Sequence, residues 1–537
     1  MTAPPERRTP WISGTLLCAA AAFGLLLALP GQTITTAYLN DLFIFLDGAH
    51  RIASGQVPNR DFHSALGPLS FYVPALGYWI SGSMGGAMPT AMALTTLGLA
   101  LPMIHIFSSR LRPSVAIPYG LFLLLIVAVP MNLGESIASL SFAMFYNRIG
   151  WAVLSALLVM YLQPRQSSGR QDPLDALCAA ALTLALVYTK ATYGLVALAF
   201  LAFMLFDPRQ RRWALWSIGL IALSALVIEA FWQSSRAYLE DLMLASQVSG
   251  TRGIVDLSLA FIRHLADYVL LAIFAILVLW RTRSVRDLLF FGICAGPGLM
   301  IQSQNSQPWG IITLFAGAAV ATEILLRSRR PAGHETLARG ATLLLIAFLL
   351  PTGLHCLIAL GVHSVAAVAH VGEPFGLPRF EDLRLTTLWV PGDRSFMTDY
   401  LMSIREGGRI LSELSVKPEN VSVLDFANPF SAGVGLPPSR GDYAWLHWGR
   451  NINDLHHLPP EQLLGDVDVL MVPKAGINGI PLRNLYADYI REAFDPIRRT
   501  DLWTVYKRRE AGMLSSVGQP LEHARPSRVG AGDGTSP

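Results

Sequence analysis

Long apolar runs recur along most of this sequence, and they constrain its fold more than any other feature. A helix that crosses a bilayer needs about 20 mostly apolar residues. Runs of that kind lie near 11–30, 87–107, 114–130, 148–163, 174–189, 192–206, 214–232, 264–280, 288–303, 310–327 and 341–361. About eleven spans predict an α-helical polytopic membrane protein. Composition agrees: the 537 residues are 52% hydrophobic and 15% charged, against about 25% charged in soluble domains. The net charge of +4 argues against a nucleic-acid partner, whose binder concentrates basic residues in one patch. Cys18, Cys178, Cys294 and Cys356 all sit in apolar runs without CxxC spacing. They read as small core residues, not as a disulfide framework or a zinc site. The first run is too long for a cleaved signal, and no clear cleavage site follows it.

Charge orients these spans. Arg7 and Arg8 precede the first run, and basic loops follow at 108–113, 163–170, 207–213, 281–287 and 327–339. The alternate loops, 31–86, 131–147, 233–263 and 304–309, are poorer in Lys and Arg. The positive-inside rule then predicts a cytoplasmic N-terminus. It places 31–86, and everything after about 362, on the outer face. Arg148, Arg236, Arg252 and Arg263 break the pattern mildly. The run GPLSFYVPALGYWISG (67–82) would invert this parity if it spanned. It reads instead as an interfacial helix, anchored by Tyr72, Tyr78 and Trp79.

Three units follow: a transmembrane core over 1–361, an outer α/β domain over 362–510, and a disordered tail over 511–537 rich in Gly, Ser and Pro. In the α/β domain, 395–415 and 481–494 have helical spacing, and 421–426, 468–473 and 502–509 read as strands. Nothing there names a ligand. His456 and His457 read as surface histidines, Asn420 opens a formal sequon, and neither GxGxxG nor a P-loop occurs.

The chemistry concentrates in YLNDLFIFLDGAHRIASGQVPNRDFHSALGPLSFY, residues 38–72. Asn40 and Asp41 can cap a helix. Leu42, Phe45, Leu46, Ala49, Ile52 and Ala53 then share an apolar face, with Asp47, His50, Arg51 and Ser54 opposite. Asp47 and Arg51 form an i, i+4 pair, and Gly55 is a natural stop. This predicts an amphipathic helix on the outer membrane surface.

That order of features, with GQVPNRDF and then a Pro-containing aromatic helix, resembles the GT-C glycosyltransferases. It is most similar to the bacterial branch of protein mannosyltransferase-like and aminoarabinose transferase-like enzymes. By resemblance Asp41 falls on the family's catalytic Asp, Arg51 on its helix arginine, and VPNRDF (57–62) on its turn. YTKATYG (188–194) resembles the family's LTKGPxG and brings Lys190 to the outer surface. The motifs cover about the first 210 residues; beyond them the match is one of layout. There are departures. Leu42 replaces a second acidic residue, and Ala65, Leu66, Gly67 and Pro68 replace His-Lys-Pro-Pro, whose lysine the resemblance assigns to the donor phosphate.

The resemblance implies transfer of a sugar from a polyprenyl-phosphate donor to a lipid, glycan or protein acceptor at the outer face of a bacterial plasma membrane. A general base must take the acceptor's proton, and cations must steady the departing phosphate. Asp41 is the candidate base. Arg51, Arg60, Asp61, His63, Arg148 and Lys190 are candidate substrate contacts. A divalent cation is a further option, although one Asp without a second carboxylate is a weak site. Glu229 lies near the outer end of its run, and Gln304 and Asn305 lie in the Gly- and Pro-containing segment 296–310. These three are candidate cavity residues, since non-helical polar backbone is tolerated only against protein or water. Two other classes fit a polytopic chain: a GT-C-derived assembly protein without activity, and a secondary transporter. The transporter reading lacks a half-to-half repeat.

Overall fold

The computed structural model describes residues 10–166, 169–250, 253–304, 310–328, 334–387 and 394–509; the tail expected over 511–537 and Asn305 lie outside them. The chain begins with α1 (Pro10–Ala28), α2 (Leu39–Ala53), α3 (Leu69–Ser81), α4 (Met84–Arg110), α5 (Pro113–Ala128) and α6 (Phe145–Leu158). Then come α7 (Gln171–Thr189), α8 (Ala191–Met204), α9 (Arg211–Trp232), α10 (Ser235–Ser249) and α11 (Ile254–Arg263). The bundle closes with α12 (Leu265–Thr282), α13 (Val285–Ser303), α14 (Ile312–Arg327) and α15 (His334–Val368).

Among the described residues α1, α4, α7, α9, α12, α13 and α15 are long and apolar enough to cross a bilayer, and α5 and α8 are shorter apolar helices. The protein is a multi-pass membrane protein. Seven helices meet that length, where the sequence offered about eleven apolar runs. Leu223, Leu226 and Phe231 of α9 are exposed, as a lipid-facing surface requires. So is Cys18, which the sequence placed in the core. The segment 296–303 is helical in spite of Pro297, where a non-helical stretch was expected.

The five basic loops share one end of the bundle, as their alternation predicts. Arg327 donates to the Arg110 carbonyl, and to that of Gln163 at 2.8 Å. Arg165 N donates to the Ser109 carbonyl at 2.8 Å, and Arg286 pairs with Asp207 at 2.8 Å. Helix α3 starts and finishes at the opposite end. Gly67 N, just before it, donates to the Thr189 carbonyl at 3.1 Å, and Tyr78 near its close accepts from Arg379 of the C-terminal region. Its 13 residues rise about 20 Å, so 67–82 does not cross.

The C-terminal region covers that opposite end. Strand β1 (Thr33–Thr35), from the loop after α1, pairs in parallel with β3 (Leu383–Leu385), and β3 pairs antiparallel with β2 (Glu373–Pro374). A second sheet has the order β4 (Val421–Val423), β5 (Val469–Pro473), β7 (Trp503–Arg508), β6 (Phe494–Arg499). Helix α16 (Arg394–Ser412) packs on it through Ser403, whose carbonyl accepts from the Trp503 indole at 2.9 Å. Short helices α17 (Pro460–Leu464), α18 (Gly479–Leu485) and α19 (Ala487–Ala493) complete the region. The single helix expected over 481–494 is therefore two, and the sequence reading missed β6, which forms a hairpin with β7.

Candidate active site

Helix α2 starts at Tyr38, whose φ of 56° is left-handed, an uncommon conformation without glycine. Tyr38 is the N-cap and makes no side-chain cap bond. Asp41 is therefore the third residue of the helix and not the cap that the sequence suggested. The Tyr38 hydroxyl donates to Glu135 Oε1 at 2.6 Å, which ties the start of α2 to the loop before α6.

The polar face of α2 does not lie on a membrane surface. Asp47, His50 and Arg51 are as buried as Leu42 and Phe45. The C-terminal region supplies their partners. His50 Nε2 lies 2.7 Å from the Leu436 carbonyl oxygen. Arg51 Nε donates to Asp47 at 2.6 Å, and its Nη1 and Nη2 donate to the two oxygens of Asp442 at 2.7 and 3.0 Å. Bidentate pairing of this kind fixes orientation as well as charge. Arg51 was a candidate substrate contact, but its fork is spent on two carboxylates and it is fully buried.

Neighbouring candidates are also structural struts. His63 Nδ1 lies 2.7 Å from Asp241 of α10, and its Nε2 lies 2.7 Å from the Gln462 amide nitrogen. Asp61 accepts from Val57 N at 2.7 Å and pairs with the exposed Arg60 at 3.2 Å. Glu229 accepts from the backbone and hydroxyl of Ser235, at 3.2 and 2.5 Å, and so closes the end of α9. Gln304 caps the end of α13.

Lys190 stands apart from these. It breaks what would otherwise be one helix, in an extended conformation between α7 and α8. The break leaves the Thr189 carbonyl open, and Gly67 N and the Ser70 hydroxyl donate to it at 3.1 and 3.0 Å. A Cβ on Gly67 would stand 2.1 Å from the Tyr188 oxygen, so this approach requires glycine. Lys190 Nζ donates to Asn147 Oδ1 at 3.2 Å and lies over the Tyr146 ring, 5.4 Å from its centroid. Arg148, next along α6, turns the other way. It is fully buried, and its Nη1 donates to the Met131 and Ala143 carbonyls at 3.1 and 3.2 Å. Its Nε and Nη2 have no hydrogen-bond partner among the described residues.

Asp41 and Lys190 meet a third charge that the sequence reading passed over. Arg450, from the C-terminal region, lies within electrostatic range of Asp41, Lys190, Tyr146 and His447. Its guanidinium sits 5.9 Å from the Trp445 ring centroid. Tyr400 of α16 also lies within range of Asp41. Burial pushes the Asp41 carboxyl up from 3.8 to about 6, against the opposing pull of Arg450. The signal for Arg450 was present in Trp445-Leu-His-Trp-Gly-Arg450, an aromatic and basic cluster inside a polar domain. One carboxyl with a raised proton affinity thus lies within range of Arg450 from a distant segment, and Arg450 in turn reaches Lys190, near aromatic side chains. Among the described residues no group of three or more His, Cys, Asp or Glu could hold a metal ion.

No protein-family profile matches the chain, and no curated protein sequence matches it. Solved structures do resemble it. ArnT from Cupriavidus metallidurans bound to undecaprenyl phosphate has a TM-score of 0.48 and 14% identity, over 93% of this chain and 98% of that one. The same protein in the apo state scores 0.46 at 13% identity, over 92% and 97%. Arabinofuranosyltransferase AftD from Mycobacteria scores 0.41 at 15% identity, over 92% of this chain and 40% of that one.

Proposed function

We propose that the protein is a GT-C-type membrane glycosyltransferase. It moves a sugar from a polyprenyl-phosphate donor to an acceptor hydroxyl at the face covered by the C-terminal region. The observation that carries this reading is Asp41, a carboxyl held at about 6 within electrostatic range of Arg450, which also reaches Lys190. A base poised near neutral pH can take a proton in the transition state. The flanking cations can steady the phosphate as it leaves, Arg450 through a bidentate fork and Lys190 as a point charge. Attack opposite the leaving phosphate inverts the anomeric carbon. In this reading Arg450 and Lys190 together fill the place of the motif lysine, where the sequence has Leu66.

The charge alternation adds an orientation: N-terminus in the cytoplasm and C-terminal region outside, in a bacterial plasma membrane. Thiols introduced at the exposed positions Arg60 and Leu455 should then react with membrane-impermeant reagents from outside, and thiols at the exposed positions Arg209 and Arg283 should not. Purified protein given a radiolabelled polyprenyl-phosphate sugar and a membrane extract tests the activity directly. Incorporation that depends on Asp41 supports the reading; no incorporation with any such donor would leave a GT-C-like scaffold without this chemistry.

A further inference from the structure

A groove of about 410 Å³ is lined by neither Asp41 nor Lys190. Its walls include Asp267 and Leu270 of α12 and Ala347, Phe348 and Cys356 of α15, with Phe315 of α14 between them. α14 packs against both α12 and α15 and forms the floor. Val269 and Ile273 on α12, and Leu350 and Leu354 on α15, are exposed beside it, so the groove borders a lipid-facing surface. The loop at Met131–Glu135 closes the end nearest the C-terminal region. Arg148 fixes that loop from behind through the Met131 carbonyl.

The groove is apolar along most of its length, and Glu135 and Asp267 line it together with Thr352 and with His355, whose Nε2 is held 2.8 Å from the Glu135 carbonyl oxygen. Carboxylates there repel a phosphate and accept hydrogen bonds from hydroxyls. The cations suited to phosphate, Lys190 and Arg450, do not line this groove. Glu135 also accepts from Tyr38, three residues before Asp41, so a head group at the closed end lies toward the start of α2.

We propose that this groove seats an apolar chain of the acceptor, so that the acceptor is a neutral, hydroxyl-bearing membrane lipid; the inference rests on the transferase reading above. In the transfer, the lipid's hydroxyl oxygen bonds to the sugar's anomeric carbon. The bond from that carbon to the donor's phosphate oxygen breaks, its electron pair staying on the phosphate. The hydroxyl proton passes to Asp41.

The test uses the full chain in phosphatidylcholine vesicles with one of two photoreactive probes, a diazirine-bearing diacylglycerol or a diazirine-bearing polyprenyl phosphate, and maps adducts by peptide mass spectrometry. The diacylglycerol probe should label peptides around Leu270 and Phe348, and the polyprenyl phosphate should not. Ala347→Trp, which fills the groove, should cut that labelling at least about tenfold and raise the acceptor KM by about the same factor with the donor KM unchanged. Leu270→Trp, from the opposite wall, gives the same readout if Ala347→Trp fails to fold. Preferential or equal labelling of the groove by polyprenyl phosphate overturns the proposal, as does labelling by neither probe or an acceptor KM that does not move. Labelling needs no sugar transfer. A labelled groove in a protein that transfers nothing therefore counts against the transferase reading, and an active protein with an unlabelled groove counts against the groove alone.

Discussion

The two ends of the helix bundle are built differently. At the basic end, charge meets charge. Arg110 donates to Asp175 at 3.0 and 2.6 Å, His105 Nε2 lies 2.8 Å from the same carboxylate, and Arg327 pairs with Glu323 at 3.0 Å. At the end under the C-terminal region, Asn40, Asp47, Asn132, Asn147 and Arg148 each keep a buried polar atom without a hydrogen-bond partner among the described residues. Tyr38 and Met144 there adopt left-handed φ values of 56° and 52° at the starts of α2 and α6, and Lys190 interrupts a helix. Among the described residues the basic end has fewer such exceptions, Ser108, Arg112 and the left-handed Arg283 (φ 47°) among them. An unpaired buried polar group costs about 1–3 kcal/mol. A chain that carries several at one end, with strained backbone, concentrates there the features expected where function overrides stability.

If that contrast is functional, substitutions at the two ends should fail in different ways. The largest expected effect is on Asp41→Asn, which should lower sugar transfer by about 10²- to 10⁴-fold while the protein stays folded. The wild-type rate should also rise with pH through about 6, as the carboxyl becomes a base, and fall again through about 7, where burial makes Lys190 lose its proton; Asp41→Asn should lose the rising limb. The sign for stability is opposite. A carboxyl raised from 3.8 to about 6 favours the fold while protonated, and that stability is lost as pH rises between those values. Asp41→Asn should therefore melt higher than wild type at pH 7.5 in a thermal unfolding scan.

Arg51→Met comes next. It leaves the buried Asp47 and Asp442 without their cation, and breaking a buried pair costs about 3–5 kcal/mol. Here the loss should be in unfolding temperature, with C-terminal proteolysis increased. Arg450→Ala should cost about 10²- to 10³-fold in transfer, the typical effect of removing a group that steadies developing negative charge, with melting close to wild type. Lys190→Ala should act in the same direction. An equal loss of stability in Arg450→Ala would recast it as another strut. The smallest effect is expected at the opposite end. Arg212→Ala removes a 3.6 Å pair with Asp172 that is exposed on both sides, worth under about 1 kcal/mol, and should leave transfer unchanged.

The features legible in the sequence are those that local patterns encode. Apolar runs gave the spans, and alternating basic loops grouped the five loops that meet at one end. Asp41 and Lys190 stood out through the resemblance, Asp41 on the family's catalytic Asp and Lys190 within YTKATYG, since by its own position Asp41 reads equally as a helix cap. Amphipathicity separated the two faces of α2 but did not say what the polar face meets. Bilayer surface and folded domain both suit Asp47 and Arg51, and only the position of Asp442 decides between them. Arg450 stood in a visible aromatic and basic cluster, but nothing local says that a turn after Trp448 returns to the first loop. The pairing of β1 with β3 joins three-residue strands, too short for an alternation to show.

The Arg51–Asp442 contact spans 391 residues of sequence, and this imposes an order on biogenesis. When α2 leaves the insertion machinery, neither the carboxylate that completes its arginine fork nor Arg450 has been synthesised. At about 5–20 residues per second, the gap lasts on the order of tens of seconds. Through that interval Asp41 stands at the membrane without its C-terminal cation. Chains truncated before residue 442 should insert their spans, carry a complete first loop, and still be inert, because the last quarter of the protein closes over the first tenth.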